Sequence, residues 1–296
     1  EPQTTNLITY SEDFSQWNNA GDVTIESGYL APDGTNNAYK VSGSDWITLA
    51  ASLLTTTTRS IYARTISGTG QANLCSHNSN TNNLFTITDQ WQRFDVTTSN
   101  STGVGAFYAV DFRGGTTLSE IILWGANATN DQAYPTSYIP TSGSTVTRNQ
   151  DIFTRDGIGS LINSTEGVLF VEMAALSNDL TYRRISLSDS TEDNRISISY
   201  DDVSNTISGQ VFVGGVEQSL LTYVLSDITE FSKIALKYKV NDFELWVDGF
   251  EVATGISGSI FPQGTLNSLS FDNGSSLQNF YGKVKQLQVY DTALTD

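Results

Sequence analysis

Carboxylates and a tryptophan alternate along residues 242–248, which read Asp-Phe-Glu-Leu-Trp-Val-Asp. Alternate residues of a β-strand lie on one face roughly 6.6 Å apart, so the three carboxylates would share the face of Trp246. Glycoside hydrolases use two carboxyls about 5–9 Å apart, and this spacing is compatible with their chemistry. An aromatic ring beside charged side chains is also suited to binding a sugar without cleaving it.

The neighbouring strand helps to decide between cleavage and binding. Alternation around Asn241-Asp242 predicts a hairpin with a two-residue loop there, which pairs Lys239 with Glu244 and Lys237 with Trp246. The six predicted core residues of this hairpin are Leu236, Tyr238, Val240, Phe243, Leu245 and Val247. A cationic neighbour lowers the pKa of a carboxyl, whereas a general acid needs a raised pKa. We therefore predict a binding face and no enzyme, with a polysaccharide-cleaving depolymerase using Glu244 as the alternative.

No other residue pattern favours catalysis. Cys75 and His77 are the only cysteine and the only histidine. They would share a strand face, but no orienting group accompanies them. One cysteine excludes an intramolecular disulfide, and one histidine excludes a site built on several imidazoles. The Gly-x-Ser-x-Gly motif of a serine hydrolase is absent.

Outward-facing aromatic residues are the remaining candidates, because they stack on sugar rings. Trp46 faces away from Ile47 and Leu49, and Tyr62 shares a strand face with Arg64, so both aromatic residues could line the same sheet. The predicted glycan-binding residues are Trp46, Tyr62, Arg64, Trp246, Lys237 and Glu244. The other tryptophans, Trp17, Trp91 and Trp124, are expected to be structural.

Two acidic loops offer a site for structural Ca²⁺, which favours clusters of oxygen ligands. The predicted ligands are Asp189 and Asp193 in one loop, where Glu192 also lies, and Asp201 and Asp202 in the next. Their spacing does not match an EF-hand, and acidic loops also serve solubility. The predicted function requires no cofactor.

The composition of the chain limits the classes of binding partner that are expected. The chain has 296 residues, with 15 Lys and Arg against 32 Asp and Glu, a formal net charge of −17. This acidity argues against nucleic acid, whose phosphates need a basic surface, and favours neutral over strongly anionic glycans. No apolar stretch reaches the ~20 residues of a membrane helix, so membrane insertion is not expected.

The elements that position these residues are predicted to be strands. Short alternating runs rich in Val, Ile, Thr, Tyr and Phe recur between clusters of Gly, Asn, Asp and Ser, without a helical stripe. The pattern predicts an all-β chain of two antiparallel β-sandwich (jelly-roll) domains in series, 1–148 and 149–296. The boundary is expected near Pro135 and Pro140 and the polar run that follows them.

The first half contains a series of short motifs, in order, at residues 6–8, 11–17, 31–35, 38–41, 60–64, 91–94, 122–126 and 136–141. Through these motifs it resembles the carbohydrate-binding-type jelly-roll domains of phage and prophage virion proteins. Relatives of this type often hold Ca²⁺ through an acid after the first strand's Phe and an Asp in the last strand. Ser15 follows Phe14 here and residues 122–125 contain no acid, so that calcium site is not expected.

The second half resembles a laminin-G-like, concanavalin A-like sandwich in residues 166–170, 233–236, 244–249 and 284–290. Together the resemblances imply a phage tail fibre, head fibre, spike or secreted surface protein that binds bacterial surface polysaccharide or oligosaccharide. Its location would be the virion surface or the extracellular space, with other virion proteins as further partners. A structural virion domain is the other alternative.

Overall fold

The computed structural model describes residues 1–53, 56–77, 83–99 and 104–294. Its regular elements are β-strands and two 3-10 helices, Phe14–Gln16 and Gly159–Leu161, which confirms the all-β prediction. No helix in these ranges is long and apolar enough to cross a membrane. The chain forms two compact units, the first at residues 3–150 and the second at 151–296 together with 1–2. The division into domains 1–148 and 149–296 stays a prediction.

The first unit is a sandwich of two antiparallel five-stranded sheets, ordered β2-β5-β10-β7-β8 and β3-β4-β11-β6-β9. A separate ribbon pairs β1 with β12. Phe14, Ile47, Leu74 and Phe107 are buried in its core. Its strands are β1 Thr4–Asn6, β2 Asn18–Asn19, β3 Val23–Tyr29, β4 Ala38–Gly43, β5 Trp46–Leu53, β6 Thr56–Arg64, β7 Gly70–Ser76, β8 Leu84–Ile87, β9 Gln92–Ser99, β10 Val104–Asp111, β11 Glu120–Asn130 and β12 Val146–Arg148.

The second unit is a sandwich of a six-stranded sheet, β13-β22-β15-β16-β17-β18, and a five-stranded sheet, β21-β20-β19-β14-β23. Its strands are β13 Thr154–Asp156, β14 Glu166–Ala175, β15 Arg183–Ser188, β16 Arg195–Tyr200, β17 Thr206–Val213, β18 Val216–Val224, β19 Ser232–Lys239, β20 Asp242–Val247, β21 Phe250–Gly255, β22 Ser268–Ser270 and β23 Gly282–Tyr290. Leu169, Ile185, Ile198, Leu236 and Leu245 are buried between the two sheets.

Strict alternation builds both outer faces of the second unit. In β15 and β16, Ile185, Leu187, Ile196 and Ile198 enter the core, so the intervening side chains point outward. The side chains on the side opposite the core form a face that we call the serine face, and they too are buried; its members are Ser186, Ser188, Ser197, Ser199, Ser208 and Ser270. On the five-stranded sheet the outward residues include Phe170, Lys237 and Trp246.

The β19–β20 hairpin has a different register from the predicted one. Val240 and Asn241 form its loop, and Lys237 lies opposite Glu244 while Ala235 lies opposite Trp246. Each residue's partner moves by two positions, so every side chain keeps its predicted face except Val240, which is 52% exposed in the turn. Asn241 adopts the left-handed conformation, with φ of 58°, and both its backbone N–H and its side chain bond to Gly258. These contacts with a distant loop fix the turn one residue earlier than expected.

Candidate functional site

Trp246, Glu244 and Lys237 lie together on the outer face of the five-stranded sheet. Strand β20 presents Glu244 and Trp246 on one face because Phe243, Leu245 and Val247 fill the core. The predicted outward orientation of Trp246 is therefore correct. The predicted pairing of Lys239 with Glu244 is wrong, because Lys239 binds Glu166 at 2.9 Å instead.

The Glu244 carboxylate is the centre of a hydrogen-bond network. Its Oε1 accepts from Nζ of Lys237 at 2.7 Å, and its Oε2 accepts from the indole Nε1 of Trp246 at 2.8 Å. Asp242 provides a second carboxylate to Lys237 at 3.2 Å. Burial alone would lower the pKa of Lys237, but the hydrogen bonds to Glu244 and Asp242 outweigh it and the pKa is raised. The ammonium thus stays protonated at neutral pH.

A cavity of about 490 Å³ opens over this network. Its wall is mostly apolar, and Lys237 and Glu244 contribute charged groups at its base. We call this cavity the Trp246 pocket; its lining residues are Val168, Phe170, Lys233, Ala235, Lys237, Glu244, Trp246, Gly249 and Leu294. An apolar wall with a few fixed polar groups is the usual composition of a small-ligand site.

The turn after β20 forms the rim of the pocket at Gly249. Asp248 and Gly249 both have positive φ, 50° and 87°, as a type I′ turn requires. The Asp248 carboxylate accepts from the backbone N–H of Lys233 at 2.9 Å, and the Asp248 N–H donates to the Lys233 carbonyl at 2.8 Å. Asp248 is therefore engaged in holding the turn.

Trp46, on β5 of the first unit, is half-buried at the start of its strand. Its ring packs against Tyr108 at 5.4 Å between centroids and lies under the guanidinium of Arg113 at 6.0 Å. Asp111 in turn holds Arg113 at 2.8 Å. Trp46 is thus one part of an aromatic and charged patch.

Tyr62 and Arg64, on β6, belong to the other sheet, so the expectation that Trp46 could line the same sheet as these residues is wrong. Consecutive strands β5 and β6 enter opposite sheets of the sandwich. Tyr62 packs edge-on against Trp124 at 5.3 Å, and Arg64 lies over Trp91 at 5.3 Å. Trp124 is buried and donates to Asn37, as expected of a structural residue. Trp17 is likewise buried, and its indole donates to a backbone carbonyl.

The four predicted calcium ligands do not form one site. Asp189 and Asp193 precede β16 whereas Asp201 and Asp202 follow it, so the two pairs lie at opposite ends of a strand roughly 17 Å long. Asp189 binds Thr191 and Asn194 of its own loop. Among the described residues, no group of three or more His, Cys, Asp and Glu side chains is arranged to hold a metal ion.

Cys75 and His77 show no sign of a nucleophile–base pair. Cys75 is fully buried, and burial raises the pKa of its thiol, which disfavours the reactive thiolate. Burial also lowers the pKa of His77. The polar tract after them includes residues 78–82, which lie outside the described part of the chain.

Comparisons with known proteins give only remote similarities. No family model matches the chain, and none of the curated proteins matches it. Among solved structures, sheep galectin-11 is 7% identical, with 48% of this chain and 99% of that chain covered and a TM-score of 0.32. The carbohydrate-binding module CBM66 from Bacillus subtilis is 10% identical, with 50% and 86% covered and a TM-score of 0.33. A Bacillus licheniformis β-glucanase is 16% identical, with 44% and 65% covered and a TM-score of 0.30.

Sequence reasoning missed two arginines of the six-stranded sheet. Arg184 and Arg195 point outward beside the serine face and are only 5% and 8% exposed. The signal for this face was present in the runs Ile185–Ser188 and Ile196–Ser199, in which serine alternates with aliphatic residues. Alternation shows that a strand is buried on one side, but not that its other side is buried too.

Proposed function

We propose that this protein is a non-catalytic glycan-binding module and that the Trp246 pocket is its binding site. The observation that carries the proposal is the hydrogen bond from the Trp246 indole to Glu244. The indole N–H is the polar group of this side chain, and Glu244 already satisfies it. The ring can then present an apolar face to the C–H groups of a pyranose without leaving a polar atom unpaired.

The rest of the pocket suits a sugar bound in this way. Phe170, Val168 and Ala235 extend the apolar wall. The Lys237 ammonium has three N–H groups, and the two carboxylates beside it occupy two of them, so one remains for a sugar hydroxyl group. Lys233 adds an ammonium to the lining. Fixed polar groups beside an aromatic wall give orientation, while ring stacking gives affinity.

The engagement of the carboxylates supports binding without cleavage. A glycosidase needs one carboxyl free to protonate the leaving oxygen and a second to act as base or nucleophile. Both oxygens of Glu244 already accept hydrogen bonds, Asp242 binds Lys237, and Asp248 holds a turn. We propose on this ground that Glu244 orients the ring and ammonium and does not transfer protons.

The biological setting that we propose is adhesion by a phage fibre or spike at a bacterial surface polysaccharide. This part rests on the sequence resemblance of the first half to virion jelly-roll domains. A virion or extracellular location and contacts with other virion proteins belong to the same proposal. No cofactor is needed for it.

Affinity electrophoresis of the full chain tests the binding proposal. The chain is run through native gels containing dextran, yeast mannan, galactan or xylan, beside Trp246→Ala, Trp246→Phe and Trp46→Ala variants. We expect at least one polymer to retard the wild type, Trp246→Ala to abolish the retardation, and Trp246→Phe to retain part of it. Trp46→Ala is the control on another tryptophan and should keep most of it. Retardation that survives Trp246→Ala, or none with any polymer, overturns the proposal.

A further inference from the structure

Arg184 is held in the six-stranded sheet by neutral groups. Its guanidinium donates to the side-chain oxygens of Gln278 and Gln210 and to Ser197, and it lies 5.0 Å from the ring of Tyr182. Among the described residues, no carboxylate lies within 4 Å of it, whereas the ion pairs of this part of the chain have N–O distances of 2.7–3.4 Å. The side chain is nevertheless 95% buried.

Arg195, on the neighbouring strand, is held in a similar way. Its guanidinium lies 4.0 Å from the Phe212 ring, and Nη1 donates to the backbone carbonyl of Glu192. Its Nε is buried without a hydrogen-bond partner. The nearest acids are otherwise engaged, since the Glu192 carboxylate binds Asn273 and the Glu217 carboxylate binds Gln210.

Two buried guanidiniums without a direct ion pair are costly. A charged group taken out of water loses its hydration and is normally paired. Burial, and to a lesser extent the charge of Arg195, lowers the pKa of Arg184 to about 10, although Tyr182, Asp201 and Glu217 act in the opposite direction. Both groups remain protonated at neutral pH. Neither guanidinium forms an ion pair within the part of the chain that the structure describes, although the chain has 32 acidic residues.

We propose that the serine face binds an oxyanion group, such as a carboxylate, sulfate or phosphate, between Arg184 and Arg195. A guanidinium presents its N–H groups in a planar fork that fits such anions bidentately. The anion would supply the direct ion pair that both guanidiniums lack, since the nearest acids act on them only from a longer distance. This site lies on the opposite sheet from the Trp246 pocket and does not depend on the function proposed for that pocket.

Titration calorimetry with two anionic probes tests the site. The full chain is titrated with sodium sulfate against a sodium chloride baseline of equal ionic strength, and with trigalacturonic acid against its carboxyl-reduced form. We expect saturable binding of trigalacturonate and of sulfate, and none of the reduced trisaccharide. If sulfate alone binds, the site accepts a free anion but not a sugar acid. Absence of saturable binding with both anions overturns the proposal.

Arginine variants locate the site. Arg184→Gln and Arg195→Gln should weaken anion binding by about tenfold or more, the usual value of one charge-assisted hydrogen bond. Arg183→Gln is the matched control: it removes the same charge from the adjacent residue, which Asp179 already pairs at 2.8 Å. If a glutamine variant fails to fold, Arg184→Lys keeps the charge, loses the fork and should still bind more weakly. Equal weakening by Arg183→Gln, or no weakening by either site variant, contradicts the assignment.

Discussion

The indole Nε1 of Trp246 donates to Oε2 of Glu244, two residues earlier on the same strand, at 2.8 Å. The other oxygen of that carboxylate binds Lys237 across the hairpin. Ring orientation and ammonium position are therefore both set by one buried side chain. Glu244 is 7% exposed, so water competes little with these bonds.

Glu244→Gln should destabilise the second unit by about 1–3 kcal/mol, because it removes the charge that compensates the buried Lys237 ammonium. Asp242 remains beside Lys237 and limits the loss. Glu166→Gln is the control, since it breaks the more exposed pair with Lys239 and should cost about 0–1 kcal/mol. Urea unfolding of both variants measures the difference. Equal costs would show that the Glu244 network contributes no more than a surface ion pair.

The stabilisation from Lys237 should depend on pH in the alkaline range. Its pKa is raised in the folded state, so its contribution is complete below the unfolded value of 10.5 and is lost as pH rises through the folded value. The difference in unfolding free energy between wild type and Lys237→Met should stay constant from pH 6 to about 9 and shrink above about 10.5. Comparing the two proteins removes the shared effect of the buried tyrosines. A difference that already falls below pH 9 is inconsistent with a raised pKa.

The hairpin register can be checked at Val240. The structure places this side chain in the turn, so Val240→Ala should change stability by less than about 0.5 kcal/mol. Val247→Ala, the size-matched control in the core, should cost roughly 2 kcal/mol, since it deletes two buried methyl groups. Denaturant midpoints of the two variants give the comparison. A large cost at Val240 would restore the register with a loop at Asn241-Asp242.

Close packing at Gly167 allows another check of the five-stranded sheet. A Cβ at this position would lie 2.5 Å from the Tyr238 hydroxyl and 2.5 Å from the Tyr290 backbone oxygen. Gly167→Ala should therefore cost about 1–3 kcal/mol through overpacking. Gly159→Ala meets only ordinary contacts at 3.4 Å and should be tolerated. Thermal unfolding measures both, and equal melting temperatures would contradict the packing of β14 against β19 and β23.

Alternation along strands made the faces predictable but not the neighbours. The sequence indicated that Trp246 points outward, because Leu245 and Val247 flank it. A two-residue loop at Val240-Asn241 and one at Asn241-Asp242 place the strand side chains on the same faces. The contact that decides between the two loops joins Asn241 to Gly258, which lies 17 positions further along the chain. The local sequence pattern holds no information about such a contact.

Tertiary placement explains the other differences. Trp46 and Tyr62 lie on consecutive strands, and only the sandwich topology shows that these strands enter different sheets. The burial of Arg184 depends partly on Gln278, which lies 94 positions away. Periodicity placed Arg184 and the serines on one face but held no information about this contact.

The most direct test of the central claim observes the Trp246 indole itself. The chain has five tryptophans, so a nitrogen-15 spectrum of the indole groups is simple, and Trp246→Phe assigns the signal. Titration with oligosaccharides of a polymer that retards the protein should shift the Trp246 signal in a saturable manner and leave those of buried Trp17 and Trp124 in place. Saturable binding that leaves the Trp246 signal unmoved would contradict the account and place the glycan site elsewhere.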